Sequence, residues 1–286
     1  MDGTTLLDRR RVLGIAALTT IPSTILAAAG PREAMTTPTL PTAHAHNDYQ
    51  QPRPLTGALE LGFTSIEVDV FARNDRLLVG HVPSELRADR DLGSMYLDPI
   101  LARCRAAGKS DTGPLPDCHR LTLLIDLKTG GTKTLELLLP LLEPLQPWLR
   151  RVENGHLVDG PVEVILSGSR PIAAVRSLEN RPVFIDGRIS DLGKGIPTDL
   201  MPLVSTAMQP SLGTLGLMGL DDPARQRLAN LVERTHGEGR RLRFWGHAES
   251  RAIWKALVEA RVDHIGTDLP RSLAKWLARN DPRCRP

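Results

Sequence analysis

Eight short apolar runs of β-like composition recur along the chain, most of them separated by segments with helical spacing. The runs fall at 42–46, 65–71, 121–128, 162–167, 182–187, 203–207, 241–245 and 264–268. Helical patterns fall at about 54–62, 95–107, 131–149, 170–179, 223–238, 249–261 and 271–279. Strands that alternate with helices imply a parallel sheet, because a parallel neighbour is reached only by a long crossover. Eight such units imply closure into a single α/β (β/α)8 TIM barrel. Pro140, Pro144 and Pro147 should break or kink the second half of the third helical stretch. Residues 77–81 follow the second run without an intervening helix, so they are expected to form a hairpin-like extension that carries His81 over the barrel mouth.

The first 29 residues are set apart from the fold. Arg9, Arg10 and Arg11 precede a moderately apolar stretch that is broken by Thr19, Thr20, Pro22, Ser23 and Thr24 and ends in Ala27-Ala28-Ala29. A basic start, an apolar stretch and a small-residue site form the pattern of a cleaved twin-arginine export signal. Cleavage after Ala29 is expected, with the twin-arginine translocase as export partner, a periplasmic or secreted destination and no stable membrane insertion afterwards. Residues 30–41, rich in Pro and Thr, read as a linker, and 42–280 as the barrel domain. The remaining stretch of about 255 residues has the usual size of one such barrel. A net charge of +3 and an aromatic content of 3% give no basic face with stacking aromatics, so no nucleic-acid partner is expected. Cys104 and Cys118 flank a loop rich in Gly, Pro and Asp that a disulfide could close in an oxidising compartment, while Cys284 is expected to be frayed and free. No C-x-x-C or Cys/His cluster points to zinc.

The polar residues at the ends of the runs carry the chemistry. Alternation through Thr64-Ser65-Ile66-Glu67-Val68-Asp69-Val70 puts Glu67 and Asp69 on one face of a strand. Two hard oxygen ligands on one face suit Mg²⁺ or Ca²⁺. His46 and His81, on either side of this pair in sequence, read as acid/base histidines around a carboxylate metal site. His46, Glu67, Asp69, Asp126, Lys128, Ser167, Asp186, Trp245 and Asp268 all stand at or near the C-terminal ends of their expected strands. Barrels of this kind build their sites on that face, and random placement would scatter the same groups to both ends.

The ordered set of His46-Asn47-Asp48-Tyr49, Glu67-Val68-Asp69 and His81 resembles the opening of the glycerophosphodiester phosphodiesterase and phospholipase C-like phosphodiesterase superfamily. Within it, His46-Asn47-Asp48-Tyr49, Arg53-Pro54-Leu55 and Arg243-Phe244-Trp245-Gly246 are most similar to the branch named for the altered inheritance of mitochondria protein 6. The likeness continues through Leu124-Ile125-Asp126-Leu127-Lys128 and ends at Gly266-Thr267-Asp268-Leu269-Pro270. It implies a metal-dependent phosphoric diester hydrolase acting on a small phosphodiester or phospholipid-derived substrate, which the export signal would place outside the cytoplasm. One divalent cation, Mg²⁺ or Ca²⁺, would rest on Glu67, Asp69 and Asp126 as Lewis acid and template. His46 and His81 would exchange the roles of base and acid, and Lys128 would add positive charge against the phosphate. Asn47 and Trp245 would also line the substrate, and Asp268 would orient a histidine or the metal shell. Attack by a neighbouring substrate hydroxyl, giving a cyclic phosphate, is the first step the resemblance implies. Two positions depart from the wider pattern: Asp126 stands where Glu is usual, and Asn47 replaces the arginine that commonly follows the first histidine. The second departure weakens the case for glycerophosphodiesters in particular.

Two other readings compete. His44-Ala45-His46 is an H-x-H on the first strand, as in amidohydrolase-type metal barrels, but the middle strands supply no further histidine and His156 and His236 fall in loop or helix. A non-catalytic barrel that binds a phosphorylated ligand would keep the fold and lose turnover.

Overall fold

The computed structural model describes residues 38–108, 113–115, 119–214, 216 and 219–284. The export segment, residues 30–37 of the linker and Cys118 lie outside these. Eight parallel strands close on themselves in chain order: β1 (Leu40–Ala45), β2 (Phe63–Arg73), β4 (Leu121–Leu127), β7 (Val162–Gly168), β8 (Phe184–Gly187), β9 (Leu203–Ala207), β10 (Arg241–Trp245) and β11 (His264–Thr267). β11 pairs back onto β1, which completes the TIM barrel. β1 begins at Leu40, inside the stretch read as linker, and each of the eight runs corresponds to one barrel strand.

The helices are α1 (Thr56–Glu60), α2 (Asp98–Ala107), α3 (Gly131–Leu142), α4 (Ile172–Ser177), α5 (Met208–Leu212), α6 (Asp222–Gly237), α7 (Arg251–Glu259) and α8 (Pro270–Asn280). α3 accommodates Pro140 but gives way after Leu142 to a 3-10 segment containing Pro144 and Pro147, as rings without an N–H dictate. Among the described residues no helix is long and apolar enough to cross a membrane. The outward residues of the strands, such as Ile66, Val68, Leu123, Ile125, Val164 and Phe244, pack in one core with Leu138, Leu228, Ile253, Leu257 and Leu273 of the helices.

Two hairpins interrupt the βα alternation. β3 (Arg76–Val79) returns antiparallel to β2 through Asn74-Asp75, both with positive φ, as a two-residue mirror-image turn requires. A second hairpin, β5 (Arg151–Glu153) with β6 (His156–Val158), turns on Asn154-Gly155 and was not expected. It places His156 on a peripheral strand, correcting its assignment to loop or helix. Cys284 is also corrected: it is buried in a 3-10 turn beside Thr42 instead of frayed. Among the described residues Cys104 is a buried free thiol.

Inside the barrel, Leu124, Ile165, Phe184 and Leu203 form a separate apolar cluster below the C-terminal mouth. Beneath it Glu163 is wholly buried, with Arg150 Nη1 at 2.5 Å, Arg241 Nη2 against the same carboxylate and the Thr122 hydroxyl at 3.2 Å. Burial opposes the charge, but the Arg241 and Arg150 guanidiniums outweigh it and hold the carboxyl at about 2. Its folded value lies below the ordinary 4.5, so this stabilisation is fully present above pH 4.5 and is lost as the pH falls toward about 2. Glu163→Gln is expected to lower unfolding stability at neutral pH by about 3 kcal/mol in urea titrations. The gap between variant and wild type should shrink as the pH is taken below 4.5.

Candidate active site

The loop after β1 is tied down before it reaches the mouth. Asp48 is buried and accepts the backbone N–H of Leu55 at 2.5 Å and the Tyr96 hydroxyl at 2.9 Å, which fixes the chain on both sides of Tyr49. Asn47 adopts a left-handed φ of 48°, and its amide lies 3.2 Å from His46 Nδ1 and 3.1 Å from the Tyr49 hydroxyl. His46 Nδ1 meets Asp268 Oδ1 at 2.8 Å, so Nδ1–H donates to the carboxylate and Nε2 is the open nitrogen. Burial works against a charge on this ring, yet the Asp268 hydrogen bond and the Glu67 carboxylate outweigh it and raise its pKa. Trp245 lies nearly parallel to the same ring, with centroids 6.1 Å apart, and is 39% exposed in the cavity instead of packed in the core.

Glu67, Asp69 and Asp126 converge from β2 and β4, which pair in register with Asp69 opposite Asp126. Candidate ligand atoms of the three lie within 4.8 Å of one another. Each carboxylate uses one oxygen for protein donors. Glu67 Oε2 takes His44 Nε2 at 3.0 Å and the Arg243 guanidinium. Asp69 Oδ2 takes the Tyr49 hydroxyl at 2.8 Å, His81 Nδ1 at 2.8 Å and Lys128 Nζ at 2.9 Å. Asp126 Oδ2 takes Lys128 Nζ at 3.1 Å. The second oxygens remain, and Asp69 Oδ1 is buried with no hydrogen-bond partner. A buried, unpartnered carboxylate oxygen is costly unless something positive meets it. Burial and the neighbouring Asp69 and Glu67 charges raise the Asp126 pKa even against Lys128, the mark of a carboxylate cluster short of positive charge. An all-oxygen set of this kind fits a hard divalent cation.

Lys128 keeps its charge: burial alone would lower its pKa, but Asp126 and Asp69 raise it. Tyr49 stays a hydroxyl donor because burial and Asp69 push its ionisation upward. His81 arrives from β3, with its backbone N–H on Glu85 at 2.7 Å and its ring half exposed, so its Nε2 is the open nitrogen. The sequence-expected residues His46, Asn47, Glu67, His81, Asp126, Lys128 and Trp245 all line one cavity of about 550 Å³, with Asp69 buried behind it. Asp268 reaches it through His46, and it does not cap α8, whose N-cap Leu269 has no side-chain bond.

His44 is not part of a histidine metal pair with His46. It is buried inside the barrel, where burial and Arg243 push its pKa well below the ordinary value, and the neutral ring donates to Glu67 and accepts from Ser65 at 2.7 Å. Among the described residues the metal-competent group is wholly carboxylate. The geometry also brings in residues that the sequence reading left without a role: Tyr49, Arg188, Ser205 and Arg243. Alternation back from Trp245 puts Arg243 on the same face, so that signal was available; the contact of Arg243 with Glu67 was not.

The family model described as the AIM6-like phosphodiesterase domain matches residues 34–186, more than half of the chain. The chain belongs to this family. It is 34% identical over 191 residues to the altered inheritance of mitochondria protein 6 homolog of Arthroderma benhamiae, covering 60% of this chain and 60% of that protein. The altered inheritance of mitochondria protein 6 of Eremothecium gossypii is 28% identical over 279 residues, covering 84% of this chain and 70% of its own length. A solved glycerophosphodiester phosphodiesterase from Agrobacterium tumefaciens aligns with 84% of this chain and 99% of its own, at 14% identity and a TM-score of 0.47. The family match spans His46 through Lys128 of the site and ends before Arg188, Trp245 and Asp268.

Gly168 tests how the triad is positioned. Its φ is +66°, and a Cβ there would sit 2.0 Å from Asp126 Oδ1 and 2.6 Å from the Leu127 carbonyl. Gly168→Ala is expected to cost about 2 kcal/mol in chemical denaturation through left-handed strain and the clash. By displacing the Asp126 carboxylate it should also abolish any rise in melting temperature that added Mg²⁺ or Ca²⁺ gives the wild type.

Proposed function

We propose that this protein is a phosphoric diester hydrolase that uses His46 and His81 as its acid/base pair with one divalent cation, Mg²⁺ or Ca²⁺, on Glu67, Asp69 and Asp126. The observation that carries this reading is that both histidines are bound at Nδ1 by a carboxylate, leaving an open Nε2 beside the same carboxylate cluster. Such a hydrolase must neutralise phosphoryl oxygens, take a proton from the nucleophile and give one to the leaving alkoxide. The bound cation would supply Lewis acidity to a phosphoryl oxygen. Lys128 holds a permanent positive charge beside that position, and His46 Nε2 takes the proton of the attacking hydroxyl. His81 Nε2 then protonates the departing oxygen, and the two exchange roles when a second hydroxyl or water attacks. Charge balance supports the assignment. The three carboxylates face Lys128 and Arg243, so a divalent cation leaves one net positive charge, the complement of a diester monoanion.

The substrate is proposed to be a small phosphodiester or a phospholipid-derived diester. Trp245, half open beside His46, offers an apolar face to its alcohol portion. In the assay that tests this, EDTA-treated protein is given bis(p-nitrophenyl) phosphate with and without Mg²⁺ or Ca²⁺. Metal should restore turnover in the wild type, and His46→Ala should lower it by about 10²–10⁴-fold. If no diester in a panel is turned over with either metal, the barrel that only binds a phosphorylated ligand becomes the reading to pursue.

Export through the twin-arginine translocase to the periplasm or beyond is part of the same proposal, supported by Arg9-Arg10-Arg11 and the Ala27-Ala28-Ala29 site. Mass spectrometry of the exported protein should find Gly30 as its first residue, and replacing Arg9 and Arg10 by lysine should leave the precursor in the cytoplasm.

A further inference from the structure

On the wall diametrically opposite β1, a second charged assembly faces the cavity, and the acid/base chemistry makes no use of it. Asp186, at the mouth end of β8, is wholly buried and accepts from the Ser167 hydroxyl at 2.8 Å. Arg188 folds back over this pair: Nη1 donates to Asp186 Oδ2 at 2.7 Å and to the Gly187 carbonyl at 3.1 Å, and Nη2 donates to Ser167 Oγ at 3.1 Å. These contacts occupy the end of the guanidinium where Nη1 and Nη2 stand side by side. Its lateral edge, made by Nε–H and the outer Nη2–H, meets no partner among the described residues, and the side chain is 36% exposed.

The arginine is held in place on its backbone as well. Its N–H donates to Asp191 at 2.9 Å, and Arg170 bridges Asp191 at 2.9 Å and the Asp186 carbonyl at 2.8 Å. A guanidinium fixed on one edge presents the other as two parallel donors, which match the two oxygens of a carboxylate or phosphate. Under the proposed function the diester's own oxygens would be met by Lys128 and by the cation held on the triad, on β2 and β4. The edge from β8 is left for a different acidic group. We infer that Arg188 is a specificity-determining residue that receives an acidic group on the alcohol portion of the diester, so that acid-bearing diesters are preferred over neutral or cationic ones. This rests on the phosphodiesterase reading for the nature of the diester.

Glycerophosphoserine and glycerophosphoethanolamine differ by one carboxylate and form the matched probes. In a His46→Ala background with Mg²⁺, where turnover is suppressed, calorimetric titration should find the serine diester bound about tenfold more tightly. Arg188→Lys keeps the charge beside Asp186 but loses the fork, and should erase that preference while leaving the affinity for the ethanolamine diester unchanged. Arg188→Gln combined with Asp186→Asn removes both charges together, guards against misfolding from an unpaired buried carboxylate, and should give the same loss. A preference that survives Arg188→Lys, equal weakening of both ligands, or binding of neither would overturn the assignment. If both bind with the expected preference but the His46-containing protein hydrolyses neither with any divalent cation, the phosphodiesterase reading falls and the role of Arg188 stands.

Discussion

Glu67 is the carboxylate on which the mouth of this barrel depends, because it is almost fully buried and its charge must be met from within the barrel. Arg243 supplies the counter-charge from β10, reaching across the barrel interior to β2, and the neutral His44 adds a second donor from β1. Removing one partner of such a pair leaves an uncompensated charge in a low dielectric and costs several kcal/mol, far more than the intact pair contributes. The arrangement also has direction. With Arg243 and His44 both on Oε2, Oε1 is left toward the cavity, so the interior ion pair sets how Glu67 is presented above. Burial and Arg243 favour the neutral His44 ring, whose Nε2–H then points at Glu67 while Nδ1 accepts from Ser65.

The interior is divided between two kinds of filling. Under β4, β7, β8 and β9 the apolar cluster of Leu124, Ile165, Phe184 and Leu203 closes the barrel below Asp126, Ser167 and Asp186. Under β1, β2 and β10, His44, Ser65, Glu67 and Arg243 fill the same level with hydrogen-bonded charge. An apolar floor on one side keeps water from reaching the carboxylates from below, and ion pairs above it act in a lower effective dielectric than at the surface. The polar half ties Glu67 on β2 to both β1 and β10. Packing and electrostatics therefore hold the cavity from opposite sides.

The barrel strands were legible because each has an outward face of Val, Ile, Leu or Phe and an inward face that changes from apolar to polar toward the mouth, a period-two pattern that survives in a single sequence. The same rule placed Glu67 with Asp69 and Asp126 with Lys128. It did not place Arg188, which lies beyond the end of β8 and is positioned by Asp191 at its backbone and by Asp186 and Ser167 at its guanidinium. Nor could it pair Arg243 with Glu67, since a contact across 176 residues is a property of closure and not of local spacing. The hairpin at Asn154-Gly155 carries a turn signal in the sequence, set directly beyond the leucine-rich helical stretch. Cys284 was misjudged because proximity to a chain end says little about burial once Asp281 is bound to Thr42 and Arg283, which anchors the last turn beneath β1.

Under the proposed function, the two histidines are not equivalent, and the difference lies in the carboxylates behind them. Asp268 is largely exposed and belongs to no cluster, so its charge acts on His46 alone, with Glu67 reinforcing it from below. Asp69 is wholly buried and already receives Tyr49 and Lys128 on the oxygen that holds His81. A ring held by Asp69 is thus placed by the same carboxylate that would hold the cation, whereas a ring held by Asp268 is placed independently of it. Loading of the proposed cation site would therefore bear directly on His81 and reach His46 only through Glu67. The asymmetry follows from which carboxylate is shared with the triad, a distinction that E-x-D spacing alone could not reveal because both histidines look alike in sequence.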